Sequence, residues 1–145
     1  MNKKVLAFIF DGKRFLALRN NSKDTSHGGD KWFTVTGSLE GDESFEEGVR
    51  REVKEEIGAD VVEIFNLNWG SVYKRGEDEF KEMNFIAFVN SDKLALKEEH
   101  SKYEWLNLDD FIKKIDWEDN KELLKLVLTK GINREVYFDK KERGQ

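Results

Sequence analysis

The stretch Gly37-Ser-Leu-Glu-Gly-Asp-Glu-Ser-Phe-Glu-Glu-Gly-Val-Arg-Arg-Glu-Val-Lys-Glu-Glu-Ile-Gly58-Ala59 packs seven glutamates into twenty-three residues of a chain that is already acidic, with a net charge of −5. Its local signals place a helix over Ser44–Ile57. Ser44 followed by Glu47 has the capping-box pattern, and Gly58 is a C-terminal stop. On a 3.6-residue wheel, Phe45, Val49, Val53 and Ile57 form an apolar stripe, the face that packs on a sheet. Glu52, Glu55 and Glu56, at i, i+3 and i+4, share an arc bordering that stripe. Gly48, one turn before Glu52, leaves nothing bulky over them.

Like charges at i, i+4 cost about 0.2–0.5 kcal/mol per pair on an open helix. At a half-buried edge the cost rises as solvent screening falls. Such a cluster is expected where something positive sits. Carboxylate oxygens in a chain with no Cys and two His favour a hard cation, Mg²⁺ or Mn²⁺. The alternative is a solvated surface helix laced by Glu47–Arg51 and Arg51–Glu55 pairs, which contribute little.

Working outward, Val5–Phe10 and Phe15–Leu18 read as a β-hairpin turned at Asp11-Gly12, with Arg19 closing the second strand. Residues 20–30 form a polar loop. Trp32–Thr36 is a short strand ahead of the helix. Val61–Tyr73 is one long or broken strand, Arg75–Glu79 a turn and Asn84–Val89 another strand. Tyr103–Leu106 precedes an Asp-rich helix start at Asn107–Asp110. Two short helices are expected around 108–115 and 118–130, and a last strand at Glu135–Phe138. The pattern is mixed α/β, a sheet covered by helices.

At 145 residues the chain fits one compact domain, 1–145, and a domain of that size buries about 68–70% of its unfolded surface. Charged residues make up 38%, with 11 Phe and 4 Trp, the composition of a globular protein with an aromatic core. The longest apolar run, Val5–Phe10, is too short to span a membrane, and no signal-peptide pattern precedes it, so a cytoplasmic protein is expected. The absence of Cys excludes disulfide frameworks, thiolate metal sites and cysteine nucleophiles. Basic and acidic residues interleave without a basic stripe, so no nucleic-acid polymer is expected as partner. An acidic protein can still hold a phosphorylated small molecule when a divalent cation bridges the two.

The spacing Gly37, five residues, Glu43, seven residues, Arg51-Glu52-Val53-Lys54-Glu55-Glu56-Ile57-Gly58-Ala59 resembles the Nudix box, Gly-x5-Glu-x7-Arg-Glu-U-x-Glu-Glu-x-Gly-U with U apolar. Every fixed position is filled. The resemblance implies the family fold, an α/β/α sandwich around a mixed β-sheet. Val35-Thr-Gly-Ser38, Glu99-His100, Tyr103-Glu-Trp105-Leu and Trp117-Glu-Asp-Asn120 resemble the branch that hydrolyses dATP-like nucleotides and dihydroneopterin triphosphate. The loop departs from the usual form in carrying Asp42 just before Glu43, with Gly41 one place earlier.

The resemblance also implies roles. Glu52, Glu55 and Glu56 become metal carboxylates and the Gly37 carbonyl joins them, where a side chain would crowd the position. Glu52 or an acid of a later loop is the candidate base. Glu99, preferred over Glu98, supplies an acid from outside the box, while His100 is given no catalytic role. Arg51 pairs with Glu43 and holds the loop to the helix. Arg19 is a candidate for facing substrate. Of the aromatics Trp32, Trp69, Tyr73 and Trp105, Trp32 is the candidate to stack on it. Ser38 and His27 make no nucleophile pair, since no Gly-x-Ser-x-Gly elbow is present, and there is no P-loop. The expected activity is Mg²⁺-dependent hydrolysis of a nucleoside triphosphate or related nucleoside diphosphate compound, by an enzyme that can be an oligomer. The alternatives are an ADP-ribose or dinucleoside polyphosphate hydrolase, and a ligand-sensing module without catalysis.

Overall fold

The computed structural model describes residues 2–20, 31–90, 94–96 and 100–138. Among these residues seven strands and three helices run in the order β1 (Asn2–Phe10), β2 (Phe15–Asn20), β3 (Lys31–Phe33), β4 (Val35–Ser38), α1 (Phe45–Ile57), β5 (Val61–Arg75), β6 (Asp78–Val89), β7 (His100–Leu106), α2 (Leu108–Lys114) and α3 (Lys121–Gly131). All seven strands join one sheet. Its pairings are antiparallel except β1 with β6, which run parallel with Asn2 opposite Phe80 and Phe10 opposite Phe88.

β1 and β2 meet only at Phe10–Phe15, after which they part. β1 lies between β4 and β6, whereas β2 lies between β3 and β7. The connection is a loop of residues 11–14 rather than a tight Asp-Gly turn. The Asp11 carboxylate accepts the N–H groups of Lys13 and Arg14 at 2.8 and 2.7 Å. The single strand expected at Trp32–Thr36 is broken into β3 and β4. At the break the buried Thr34 hydroxyl donates to the Ala7 carbonyl at 2.6 Å, as the chain leaves β2 to pair with β1.

Strand alternation builds two cores. Val5, Ala7 and Ile9 of β1, with Phe85, Ala87 and Val89 of β6, meet Val49, Val53 and Ile57 of α1. Leu6, Phe8 and Phe10, with Ile86 and Phe88, meet Phe111, Ile112, Leu124, Val127 and Leu128 of α2 and α3 on the opposite face. Each fully buried aliphatic or aromatic side chain contributes about 1.5–3 kcal/mol. The layering is α/β/α, one helix over one face and two over the other.

β5 carries a bulge between Asn66 and Gly70. Asn68 there has φ 53°, and its backbone N–H donates to Asn66 Oδ1. Glu135–Phe138 is not the expected strand. Arg134 turns the chain with φ 58°, and Glu135 N–H returns to the Lys130 carbonyl at 3.0 Å. Phe138 then offers its carbonyl to Asn68 Nδ2 at 2.6 Å. The segment is spent on capping α3 and covering the bulge.

The α1 boundaries follow from its caps. Ser44 and Glu47 complete the reciprocal capping box, and Gly58 ends the helix at φ 69° with its N–H on the Lys54 carbonyl. A Cβ at Gly58 would stand 2.7 Å from the Ala95 Cβ. Gly58→Ala is therefore expected to cost about 1–3 kcal/mol from left-handed backbone strain and overpacking, read as a lower urea midpoint at unchanged m-value.

Candidate active site

α1 packs against the sheet so that its second turn lies beside β4. Leu39 N–H bonds the Lys3 carbonyl at 2.9 Å, tying the start of the loop after β4 to β1. Gly48 does not keep the acids uncovered, as the helix wheel suggested; it is buried because Leu39 fills that space, and a Cβ there would collide with the Leu39 side chain. The loop is thus seated on the helix by a leucine in a glycine notch.

Arg51 fastens the other half of the loop. Its Nε and Nη2 donate to the two oxygens of Glu43 at 2.8 and 2.9 Å, the bidentate fork that gives such pairs geometric specificity. Nη2 also donates to the Ser38 carbonyl at 2.9 Å. Nη1 donates to Glu52 Oε1 at 2.7 Å and Glu55 Oε2 at 3.2 Å. All five N–H bonds of the guanidinium are used. Glu43 in turn accepts Glu40 N–H at 3.1 Å. The Arg51 bond, followed by that backbone bond, holds the Glu43 carboxyl below its usual range, and Glu43 is the chief cause of the upward shift at Arg51.

The three box glutamates differ in depth. Glu52 is buried, Glu56 half-buried and Glu55 exposed. The Glu52 carboxylate occupies the space where a side chain on Gly37 would begin. Burial pushes its pKa up; the Arg51 bond opposes this, and the charges of Glu56 and Glu55 add to the rise. A desolvated carboxylate repelled by two neighbours is held ready for a proton or a cation.

The donor set suits a hard cation, being carboxylate and carbonyl oxygen. Among the described residues, however, no three acidic or imidazole side chains converge at metal-ligand spacing. One Arg51 nitrogen bonds both Glu52 and Glu55. The expected additional acid, Glu99, with Glu98, His27 and the rest of loop 21–30, lies outside the described residues.

Arg19 and Trp32 are not beside the glutamates. They are register partners on β2 and β3. Arg19 follows Phe15 and Ala17 in alternation, on the face that α2 and α3 cover. Trp32 N–H donates to the Asp116 carboxylate at 2.8 Å and the Trp32 carbonyl accepts the Asp116 N–H at 2.9 Å, and Lys114 Nζ sits 4.4 Å over its ring. Tyr73 stacks on Phe80, Trp69 lies between Trp117 and Phe138, and Trp105 lies under Arg14. Trp105 packs on the α1-side core; on the opposite face, where β1 begins, Lys4 and Glu82 are register partners, and burial raises the Glu82 pKa against the pull of Lys4. Sequence reading missed the Ser38 carbonyl and Leu39 as parts of the site, since neither a backbone direction nor the filler of a glycine notch is written in residue type.

Two outcomes follow from this geometry. Gly37→Ala displaces only the flexible end of Glu52, so unfolding free energy should change by about 1 kcal/mol or less, while turnover falls roughly 100-fold from the misplaced carboxylate; steady-state kinetics and urea titration separate the two. For Glu82, a raised native pKa means the native state binds more protons than the unfolded chain above the ordinary value of 4.5, so stability declines as pH rises through that window. Glu82→Gln should flatten the decline, compared by denaturation at pH 4.5 and pH 7.

Comparison with known proteins agrees with this architecture. The family model for the NUDIX domain matches residues 2–127. The MutT protein from Methanosarcina mazei Go1 superposes with a TM-score of 0.68 at 25% identity, over 92% of this chain and 93% of that one. The E. coli dihydroneopterin triphosphate pyrophosphohydrolase gives 0.69 at 23% identity, over 88% and 95%. A C. elegans Ap4A hydrolase gives 0.68 at 22% identity, over 89% and 97%. No curated protein matches the chain. With the box residues assembled on α1 and its loop, and the family model spanning most of the sequence, the chain belongs to the Nudix family of hydrolases, enzymes of the pyrophosphate bond.

Proposed function

We propose that the chain is a divalent-cation-dependent pyrophosphohydrolase of a nucleoside triphosphate, or of a related nucleoside diphosphate linked to another group, acting as a cytoplasmic enzyme. The observation that carries this reading is the Glu52 carboxylate, desolvated against Gly37, flanked by Glu55 and Glu56, and held by the same guanidinium that anchors the loop. The names of the E. coli and C. elegans neighbours, a triphosphate pyrophosphohydrolase and an Ap4A hydrolase, support a small phosphoanhydride substrate.

In this reading Glu52, Glu55 and Glu56, the Gly37 carbonyl and Glu99 would hold Mg²⁺ or Mn²⁺. When bound, the cation would offset repulsion between the acidic site and the phosphates and would supply acidified water and charge for the leaving oxygen. The chain's own part is positional and protolytic. Arg51 and Glu43 fix the loop so that the Gly37 carbonyl and the Glu52 carboxylate keep one spacing. Water attacks phosphorus, the bridging P–O bond breaks, and a carboxylate with a raised pKa takes the water proton; Glu52 is the candidate. Arg19, with Trp32 beside it, is proposed to meet the substrate from the other face of the sheet.

The test is a panel of nucleoside triphosphates, ADP-ribose and a pterin triphosphate with Mg²⁺, scoring phosphate and pyrophosphate release separately. At least one compound should be cleaved, and Glu52→Gln should lose roughly 100-fold or more of kcat with its melting temperature unchanged. Mg²⁺ at about 100 Kd should stabilise the wild type by roughly 2.7 kcal/mol. Hydrolysis of none of the panel, or full activity in Glu52→Gln, overturns the proposal.

A further inference from the structure

α1 ends on a turn whose composition works against it. Residues 54–57 are Lys54, Glu55, Glu56 and Ile57. A helix C-terminus carries the negative end of the macrodipole, which disfavours acids there. Glu55 and Glu56 also stand three and four residues from Glu52, where like charges repel. The first turn, with Glu46 and Glu47, has the favourable sign. Lys54, the basic residue of the last turn, pairs with Asp60 at 3.1 Å, both side chains being exposed, so it compensates little. Arg51 offsets part of the repulsion at Glu55 while also serving Glu43 and Ser38. By composition this turn is prone to fray.

What holds it is a bond from outside the helix. The Ile57 carbonyl is one of the terminal carbonyls that the helix itself cannot satisfy. Ile57 is fully buried, so water does not reach that oxygen. Its partner is the Ala95 N–H at 2.8 Å, from the segment between β6 and β7. Ala95 lies flat on Gly58, where a Cβ would stand 2.7 Å from the Ala95 Cβ and 3.1 Å from its N and O. Glycine at 58 thus serves both the left-handed backbone and the approach of this donor. Leu94 and Leu96 pack on the same core as Ile57 and Ala59 and seat the segment, whereas Ala95 itself is exposed. Ala95 acts through its backbone.

We propose that Ala95 is a positioning residue of this hydrolase: its N–H caps the acidic end of α1 and keeps Glu55 and Glu56 in the helical geometry in which a divalent cation takes them. The inference deepens the proposed function and rests on it for what the two carboxylates do. Without that donor the Ile57 carbonyl is a buried acceptor with no partner, a costly state that the chain escapes by turning its last helical peptide units toward water. Opening the turn moves Glu55 and Glu56 away from Glu52. Only the fraction of molecules with the turn closed then binds the cation at full affinity.

The test compares Ala95→Pro, which deletes the N–H, with Ala95→Gly, which keeps it and removes only the side chain. Mn²⁺ binding is followed by the paramagnetic resonance of the free ion, without nucleotide and well below the melting temperature. Ala95→Pro should bind Mn²⁺ about tenfold more weakly than the wild type, and Ala95→Gly within about twofold of it. In the metal-free proteins, the amides of Glu56 and Ile57 should exchange hydrogen about tenfold faster in Ala95→Pro than in Ala95→Gly, with that of Val49 unchanged. A role in stability alone would lower the melting temperature and leave both Mn²⁺ affinity and this local exchange as they are, and that result overturns the inference. So does an Ala95→Gly protein as weak as Ala95→Pro. A wild type that takes up no Mn²⁺ overturns the proposed function and this inference with it, whereas Ala95→Pro binding Mn²⁺ as the wild type does overturns this inference alone. If Ala95→Pro does not fold, the wild type decides. Because coupling between sites is reciprocal, saturating Mg²⁺ should slow exchange of the Ala95 amide about tenfold, together with that of Ile57; unchanged exchange at Ala95 overturns the inference.

Discussion

The site depends on one guanidinium having an acceptor for every hydrogen it carries. Arg51 reaches back to Glu43 and Ser38 in the loop and sideways to Glu52 and Glu55 on its own helix. Without it, the loop would lose its tie to the helix beyond Leu39, and the carboxylates of Glu43, Glu52 and Glu55 would lose the cation they share. Lysine could not substitute, because its three donors radiate from one point and cannot fork onto one carboxylate while also reaching a carbonyl. The arginine converts a local excess of negative charge into a fixed shape.

That shape stands where two halves of the sheet join. β4 leaves the β2 side at Thr34 and pairs with β1, carrying Gly37 under the helix. The glutamates thus gather on one face of β4. On the opposite face lie Lys4, Glu82, Asn84 and the aromatic side chains around Trp117. Charge and flat apolar surface are segregated by a single thin strand.

Much of this could be read from the chain before the structure. The capping box, the terminal glycine and the apolar stripe of α1 are local properties, and the helix lies where they put it. The depth order of Glu52, Glu56 and Glu55 was only half legible: a helix wheel gives the arc, but the burial of Glu52 depends on β4 passing beneath it. Gly48 was misread for the same reason, because a wheel cannot show that Leu39 enters from a loop. The split of Trp32–Thr36 and the loss of a strand at Glu135–Phe138 come from partners distant in sequence, Ala7 for one and Asn68 for the other.

The parallel pairing of β1 with β6 has a consequence for how the molecule comes into being. β1 finds β4 early, but its other edge waits until Asp78–Val89 has been synthesised. Closing so long a segment is entropically slow. Until then, the apolar residues Val5 to Phe10 keep one backbone edge open to other chains, the hazard of any unpaired strand. The glutamate-rich segment emerges within that interval, and its repulsive charge is well placed to keep nascent neighbours apart before the sheet closes.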